Sequence, residues 1–316
     1  MQVIVSKVLV VFIYIAIGLV ANRLRVLPEE SLPYLTALVI NITTPCLMIT
    51  SITGEELRDG MLKSTILTFI LSFVLLLLAA LIAVWRARRF RNTKPEDAGV
   101  LSVAMTSCNS GFMGFPITQS VFGSTAFYFL VVQNISFNLD LFIVAIAQLH
   151  WGEPRSGKLN LRSMLRPFCN ILTIVSIISV VLLFAHIHLP VYFNDLLSTV
   201  GDATIPLSMI IVGIQLGRSN FRKLLFRKDL LQVSLYKLIL FPAMSTLIVF
   251  LLPLEPYVRL SLALAMCFPS AVLGVAMAER EGKNGTLMAE AVAVTTLYSM
   301  VTLPLWLSLL GHLFLS

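Results

Sequence analysis

Ser107-Cys108-Asn109-Ser110-Gly111-Phe112-Met113-Gly114-Phe115-Pro116 interrupts an apolar run covering residues 98–120. The run has the length of one membrane-crossing helix, yet its middle holds an amide, two hydroxyls, two glycines and a proline. Proline removes a helix hydrogen bond and clashes with the preceding turn. Glycine lowers the cost of non-helical backbone. Main-chain groups freed at membrane depth must be buried in protein or face water. Asn109 and Ser110 would then offer side-chain donors beside bare main chain. A resumed half-helix would add partial positive charge at its N-terminus. Such a place suits a carboxylate that brings no counter-ion. The other reading is a proline kink, with glycine at a helix–helix contact.

The rest of the chain puts this stretch in a bilayer. Of 316 residues, 58% are hydrophobic and 12% charged, against roughly 45–50% and about 25% in an ordinary soluble domain. That leaves too few charges to coat a water-facing surface, and the mean hydropathy of +0.91 agrees. A bilayer core of about 30 Å needs roughly 20 apolar helical residues. Ten such segments can be read: 3–22, 31–50, 63–85, 98–120, 124–149, 169–188, 195–217, 230–252, 257–279 and 285–310. The first is too long for a signal-peptide core and lacks a small-residue cleavage site, so it is expected to stay as a span. Of the 23 Lys and Arg, eighteen then fall on five loops of one side, three on the other, and Lys7 and Lys237 inside spans. Basic loops stay cytoplasmic, so both termini are expected on the outer side. The net +7 is thus loop charge that sets topology, and a nucleic-acid partner is not expected.

Enzyme classes are excluded in turn. Cys46, Cys108, Cys169 and Cys267 lie in or beside apolar runs with no CxxC, which excludes a disulfide scaffold and a zinc site of standard spacing. There is no GxxxxGK[ST] phosphate loop. His186 and His188 sit at i, i+2 and point apart on a helix, so no metal site is expected. The sequence implies no cofactor beyond a coupling ion, proton or sodium.

The halves echo one another. Asn41-Ile42-Thr43-Thr44-Pro45-Cys46-Leu47-Met48-Ile49 and Asp202-Ala203-Thr204-Ile205-Pro206-Leu207-Ser208-Met209-Ile210 both fit [ND]-x-T-x-P-x-x-M-I at an offset of 161. Ser110, Gly111 and Gly114 match Ser270, Ala271 and Gly274 at an offset of 160. Two matches at nearly one offset argue for duplication. Five spans are an odd number, so the second copy enters the membrane from the opposite face. Inverted repeats of this kind build many secondary transporters, with the substrate near the midplane at interrupted spans. The expected fold is all-α and polytopic: ten transmembrane helices in two inverted five-helix repeats, with broken helices four and nine crossing. The first repeat is 1–150, a cytoplasmic linker 151–168, and the second repeat 169–316.

Here the residues resemble a known family. Asn109 to Pro116 resembles the fourth-helix crossover of the auxin efflux carriers. Pro269-Ser270-Ala271-Val272-Leu273-Gly274-Val275-Ala276-Met277-Ala278-Glu279-Arg280-Glu281, with a span ending near Leu303-Pro304-Leu305, resembles that family's last two helices. Lys237-Leu238-Ile239-Leu240-Phe241-Pro242 is similar to its eighth-helix pattern. The resemblance implies a fold similar to the bile acid sodium symporter, with a scaffold domain and a transport domain each drawn from both repeats. It implies carriage of organic anions, auxin in plants and dicarboxylates in bacteria. The short linker resembles a bacterial-type member, hence a multi-pass protein of the inner membrane. By the same resemblance Asn109, Gly111, Gly114 and Pro116 form the first crossover, and Pro269, Ser270 and Gly274 the second. Ser110 and Asn41 join the substrate-binding candidates on their chemistry, although an interhelical structural bond is equally open for Asn41.

Four charges inside spans are coupling candidates. Gln133, Ser136 and Asp140 share a helix face, flanked by Asn134 and Asn138. Asp140 either exchanges a proton or belongs to a structural network. Lys237 attracts the anion, pairs with Asp140 or Glu290, or snorkels to the cytoplasmic interface. Asp202 is an intramembrane acid, functional by default. Glu290, near a cytoplasmic end, favours an interfacial role. The leading reading is a secondary carrier of a small organic anion, working by alternating access in the lipid bilayer. A passive anion channel and a membrane sensor with a carrier-like fold stand as alternatives. Monomer or homodimer stays open.

Overall fold

Uncharged runs of Leu, Ile and Val leave a backbone in lipid one economical way to satisfy its hydrogen bonds, within the helix itself. The computed structural model describes residues 2–28, 30–90, 94, 97–151, 170–187, 189–218 and 224–315. It is all-helical, with no strand among the described residues. Apart from Trp151, the expected linker 151–168 lies outside them, as do Cys169 and His188.

In chain order the helices are α1 (Gln2–Arg23), α2 (Ser31–Leu38), α3 (Thr44–Thr53), α4 (Met61–Ala87), α5 (Ala98–Thr106), α6 (Phe115–Phe122), α7 (Ser124–Leu149), α8 (Ile171–Phe184), α9 (Val191–Asp202), α10 (Thr204–Arg218), α11 (Lys228–Leu235), α12 (Phe241–Leu251), α13 (Pro256–Cys267), α14 (Leu273–Arg280) and α15 (Gly285–Leu315). Seven stretches are long and apolar enough to cross a membrane: Ser6–Arg23, Ser31–Thr53, Met61–Ala87, Ser124–Leu149, Val191–Gly217, Lys228–Leu251 and Gly285–Leu315. Ile171–Phe184 and Pro256–Cys267 are shorter apolar helices. The chain is therefore a multi-pass membrane protein. Its outward side chains suit lipid. On α4, Ile66, Ile70 and Leu81 are exposed, while Leu76, Ala79 and Ala83 are buried on the opposite face.

Three five-residue π turns occur among the described residues: Val39–Thr43, Ser110–Gly114 and Tyr236–Leu240. Each precedes a helix whose second residue is proline, Pro45, Pro116 and Pro242. The shared cause is the proline ring, which cannot donate and crowds the carbonyl four residues back. A wider turn takes up that crowding, so these segments continue past proline. Pro206 is accommodated otherwise: α9 ends at Asp202 and α10 begins at Thr204.

Small residues set the closest helix contacts, as expected where packing replaces the hydrophobic drive. α1 lies along α10. A Cβ on Gly18 would stand 2.0 Å from the Ile210 carbonyl oxygen, and one on Gly213 2.0 Å from that of Ile15. α3 packs on α8 and α9, and Gly201 meets the main chain of Cys46 and Leu47. Gly123, with φ +82°, turns the chain between α6 and α7.

Candidate functional site

α5 is almost wholly buried and stops at Thr106. Ser107 runs extended, with φ −61° and ψ 142°, and Asn109 sits at φ −81° and ψ 53° before the π turn that opens α6. α13 stops at Cys267, and Phe268 is likewise extended, with φ −72° and ψ 149°. Helix resumes at Leu273. Both interruptions lie inside the protein, where every freed polar group needs a partner.

The two interruptions supply partners to each other. Asn109 N–H donates to the Pro269 carbonyl at 2.8 Å. Ser270 Oγ donates to the Ala104 carbonyl at 2.5 Å. Ala271 N–H donates to Ser107 Oγ at 3.2 Å, and Ser270 N–H to Thr295 Oγ1 at 3.2 Å. The Asn109 carbonyl accepts from Met113 and Gly114 N–H, closing the resumed turn. Ser110 Oγ accepts from Asn134 Nδ2 at 2.7 Å. Asn134 Oδ1 accepts from Asn138 Nδ2, which also donates to Thr173 Oγ1 at 2.8 Å. A chain of amides thus ties the junction to α7 and α8.

The packing around the junction is close. A Cβ on Gly114 would lie 2.9 Å from Phe268 Cε2, and one on Gly274 2.3 Å from Met288 Cε. Pro116 is buried. Between Ser107 and Thr118, Gly111 alone is not buried. Main-chain N–H groups at the start of a helix have no partner within it. Gly111 therefore marks where a ligand could reach such groups.

Asn109, Ser110, Gly111, Gly114, Pro116, Pro269, Ser270 and Gly274 are accordingly gathered in or against one junction. Asn41 and Asp202 are not. Both are exposed, and neither side chain forms a hydrogen bond among the described residues. Glu290 belongs to a cluster at the start of α11. Arg227 donates to it and, through Nε and Nη2, to both oxygens of Asp229 at 2.8 and 2.7 Å. The hydrogen bond to Asp229, with the charges of Asp229 and Glu290, raises the Arg227 guanidinium above its ordinary range.

The polar stripe on α7 divides in two. Asn134 and Asn138 are bonded, whereas Gln133 Oε1, Ser136 Oγ and Asp140 Oδ1 are buried without a partner among the described residues. Lys237 does not snorkel. It is wholly buried, and its Nζ donates to Cys108 Sγ at 2.9 Å. Of the two acids expected as partners, Glu290 is held by Arg227, whereas Asp140 stands in electrostatic reach of Lys237. Sequence reasoning missed Cys108 and the bonding roles of Ser107 and Thr295. Cys108 and Lys237 are 129 positions apart, and no local pattern links them.

Long apolar helices around a buried polar junction are the make-up of a membrane transporter, and comparison with known proteins agrees. A profile of the membrane transport protein family matches residues 3–307, and the chain belongs to this family, that of the auxin efflux carriers. It is 27% identical over 305 residues to an uncharacterized transporter of Methanothermobacter thermautotrophicus, covering 95% of this chain and 96% of that one. It is 22% identical over 303 residues to the uncharacterized transporter MJ1031 of Methanocaldococcus jannaschii, with 95% and 96% covered. It is also 22% identical over 308 residues to the uncharacterized transporter YfdV of Escherichia coli, with 96% of each covered. All three are named as transporters; the chain is a transporter and not an enzyme.

Proposed function

We propose that this transporter is a secondary carrier of small organic anions, mono- or dicarboxylates, working by alternating access. In this reading ten spans form two inverted repeats, 1–150 and 169–316, with both termini on the outer side of the plasma membrane. Scaffold and transport domains each take helices from both repeats. The segments α5–α6 and α13–α14 are the crossing pair, and the substrate binds at their junction.

The observation that carries the reading is the bond from Asn109 N–H to the Pro269 carbonyl. It joins the two interruptions, and its partners are separated by the same 160 positions that relate Ser110 to Ser270. An inverted repeat puts equivalent residues together where its axis passes through the pair. The anion preference is supported by the two resumed half-helices, α6 and α14, whose N-termini carry partial positive charge. The buried ammonium of Lys237 adds to it. Asp140, with its unpartnered oxygen, is the proposed charge relay. Asn41 and Asp202, both exposed and taking no part in these bonds, stay outside the substrate contacts in this reading.

The test is counterflow of a panel of mono- and dicarboxylates in proteoliposomes, with pH and sodium gradients varied separately. Asn109→Ala and Pro116→Ala should each abolish uptake while the protein still inserts and elutes as a folded species. Normal uptake in both variants would remove the site assignment. Single-channel steps in place of slow saturable flux would favour a pore.

A further inference from the structure

Beyond its share in the anion preference, Lys237 has neighbours that point to a second role. It lies on the π turn before Pro242 and is wholly buried. Its Nζ donates to Cys108 Sγ at 2.9 Å and stands 3.5 Å from the Thr106 carbonyl oxygen. Thr106 is the last residue of α5, so that carbonyl belongs to a helix end with partial negative charge and no helical partner. Cys267, the last residue of α13, is in electrostatic reach of the same ammonium. So is Asp140 on α7. The C-terminal carbonyl of α5 and the Cys108 sulfur therefore meet this ammonium directly, with the Cys267 thiol and the Asp140 carboxyl in electrostatic reach. In carriers with discontinuous helices, such ends are where a coupling cation is held.

We propose that Lys237 is the resident cation of the junction, filling the place a sodium ion would take, so that transport is independent of sodium. The proposal rests on the carrier reading above. The ligand chemistry agrees with an ammonium. Sulfur is a soft ligand that suits soft metals, whereas sodium, a hard cation, calls for oxygen. An ammonium brings three donors and no acceptor, and the thiol and the carbonyl each accept. A second cation beside Nζ would meet like-charge repulsion in a medium of low dielectric. The lysine is tethered, so its charge cannot leave for the bath. Titratable groups around it are Asp140 from α7, Cys108 from the break after α5 and Cys267 from the end of α13.

The experiment compares thermal unfolding of the purified full chain in sodium chloride and in N-methylglucamine chloride, at one pH and ionic strength. Wild type, Lys237→Met and Lys237→Arg are measured in both salts, with succinate counterflow alongside. Wild type is expected to unfold at the same temperature in both. Lys237→Met should unfold roughly 6–20 °C lower, as when one member of a buried charge cluster is removed, and Lys237→Arg should recover most of that loss. A wild type that sodium stabilises over N-methylglucamine overturns the proposal, as does a Lys237→Met protein as stable as wild type. If Lys237→Met gives no folded protein, Lys237→Arg decides: folded and indifferent to sodium supports the resident cation, and stabilised by sodium sinks it. These readouts need no transported substrate. Failure of every carboxylate in counterflow would remove the carrier reading alone, and a sodium-stabilised wild type would remove only the resident cation.

Discussion

Ser270→Ala takes one oxygen out of the junction, and the surroundings set the size of the loss. Ser270 is wholly buried, and its hydroxyl donates to the Ala104 carbonyl at 2.5 Å. α5 ends two residues after Ala104, at Thr106, so this carbonyl is among the last four of its helix, which lack an intrahelical donor. Alanine leaves it buried and unpaired, which costs about 1–3 kcal/mol. For a chain of this size each kcal/mol moves the unfolding midpoint by roughly 2–4 °C, so a fall of about 2–12 °C is expected. The midpoint can be followed with a thiol-reactive dye, because Cys108 and Cys267 are buried and free in the folded chain. Ser208→Ala is the control. Ser208 is also wholly buried, but its hydroxyl bonds the Thr204 carbonyl of its own helix at 2.6 Å, an acceptor that the continuing helix also serves. If the two alanine variants unfold at the same temperature as wild type, the junction is not held by side-chain bonds to the ends of α5, and the argument for a fastened crossing fails.

Gly213→Ala should abolish folding, since its Cβ would overlap the Ile15 carbonyl oxygen; a monodisperse gel-filtration peak for this variant would contradict the packing of α1 on α10. Gly114→Ala should reduce transport far more than Gly111→Ala, measured as initial uptake rate. A Cβ on Gly114 would lie 2.9 Å from the Phe268 ring, whereas one on Gly111 would meet only the movable tip of Leu172 at 3.2 Å. Glu290→Gln should leave uptake close to wild type, because Glu290 serves the Arg227 cluster. Arg227→Ala should lower the unfolding midpoint further than Glu290→Gln, since it leaves both acids unpaired.

Segment type and extent were legible where punctuation is strong. α7 begins just after Gly123 and ends before His150, matching the run of apolar residues read from sequence. The interruption at Asn109 was legible because glycine, proline and amide coincide there. The π turns were not, since proline announces a disturbance without saying whether the helix widens, bends or stops: Pro45 follows a wide turn, whereas Pro206 follows a break. Asp140 was named beforehand as a partner for Lys237, but the Cys108 contact of Lys237 and the Arg227 partner of Glu290 were unreadable because both come from distant parts of the chain. Arg227 and Glu290 are 63 positions apart, and charge alone gave Glu290 no preferred cation. Asn41 was singled out for its amide within an apolar run, yet its side chain is exposed, since residue type alone does not say which way a helix turns a side chain.

The crossing of α1 and α10 has a mechanical consequence. Where a single added carbon would strike a carbonyl oxygen of the facing helix, as at Gly18 and Gly213, neither rod can roll or glide without collision. The two helices must travel as a single stiff beam, and whatever opens and shuts in this molecule has to pivot along seams with more slack.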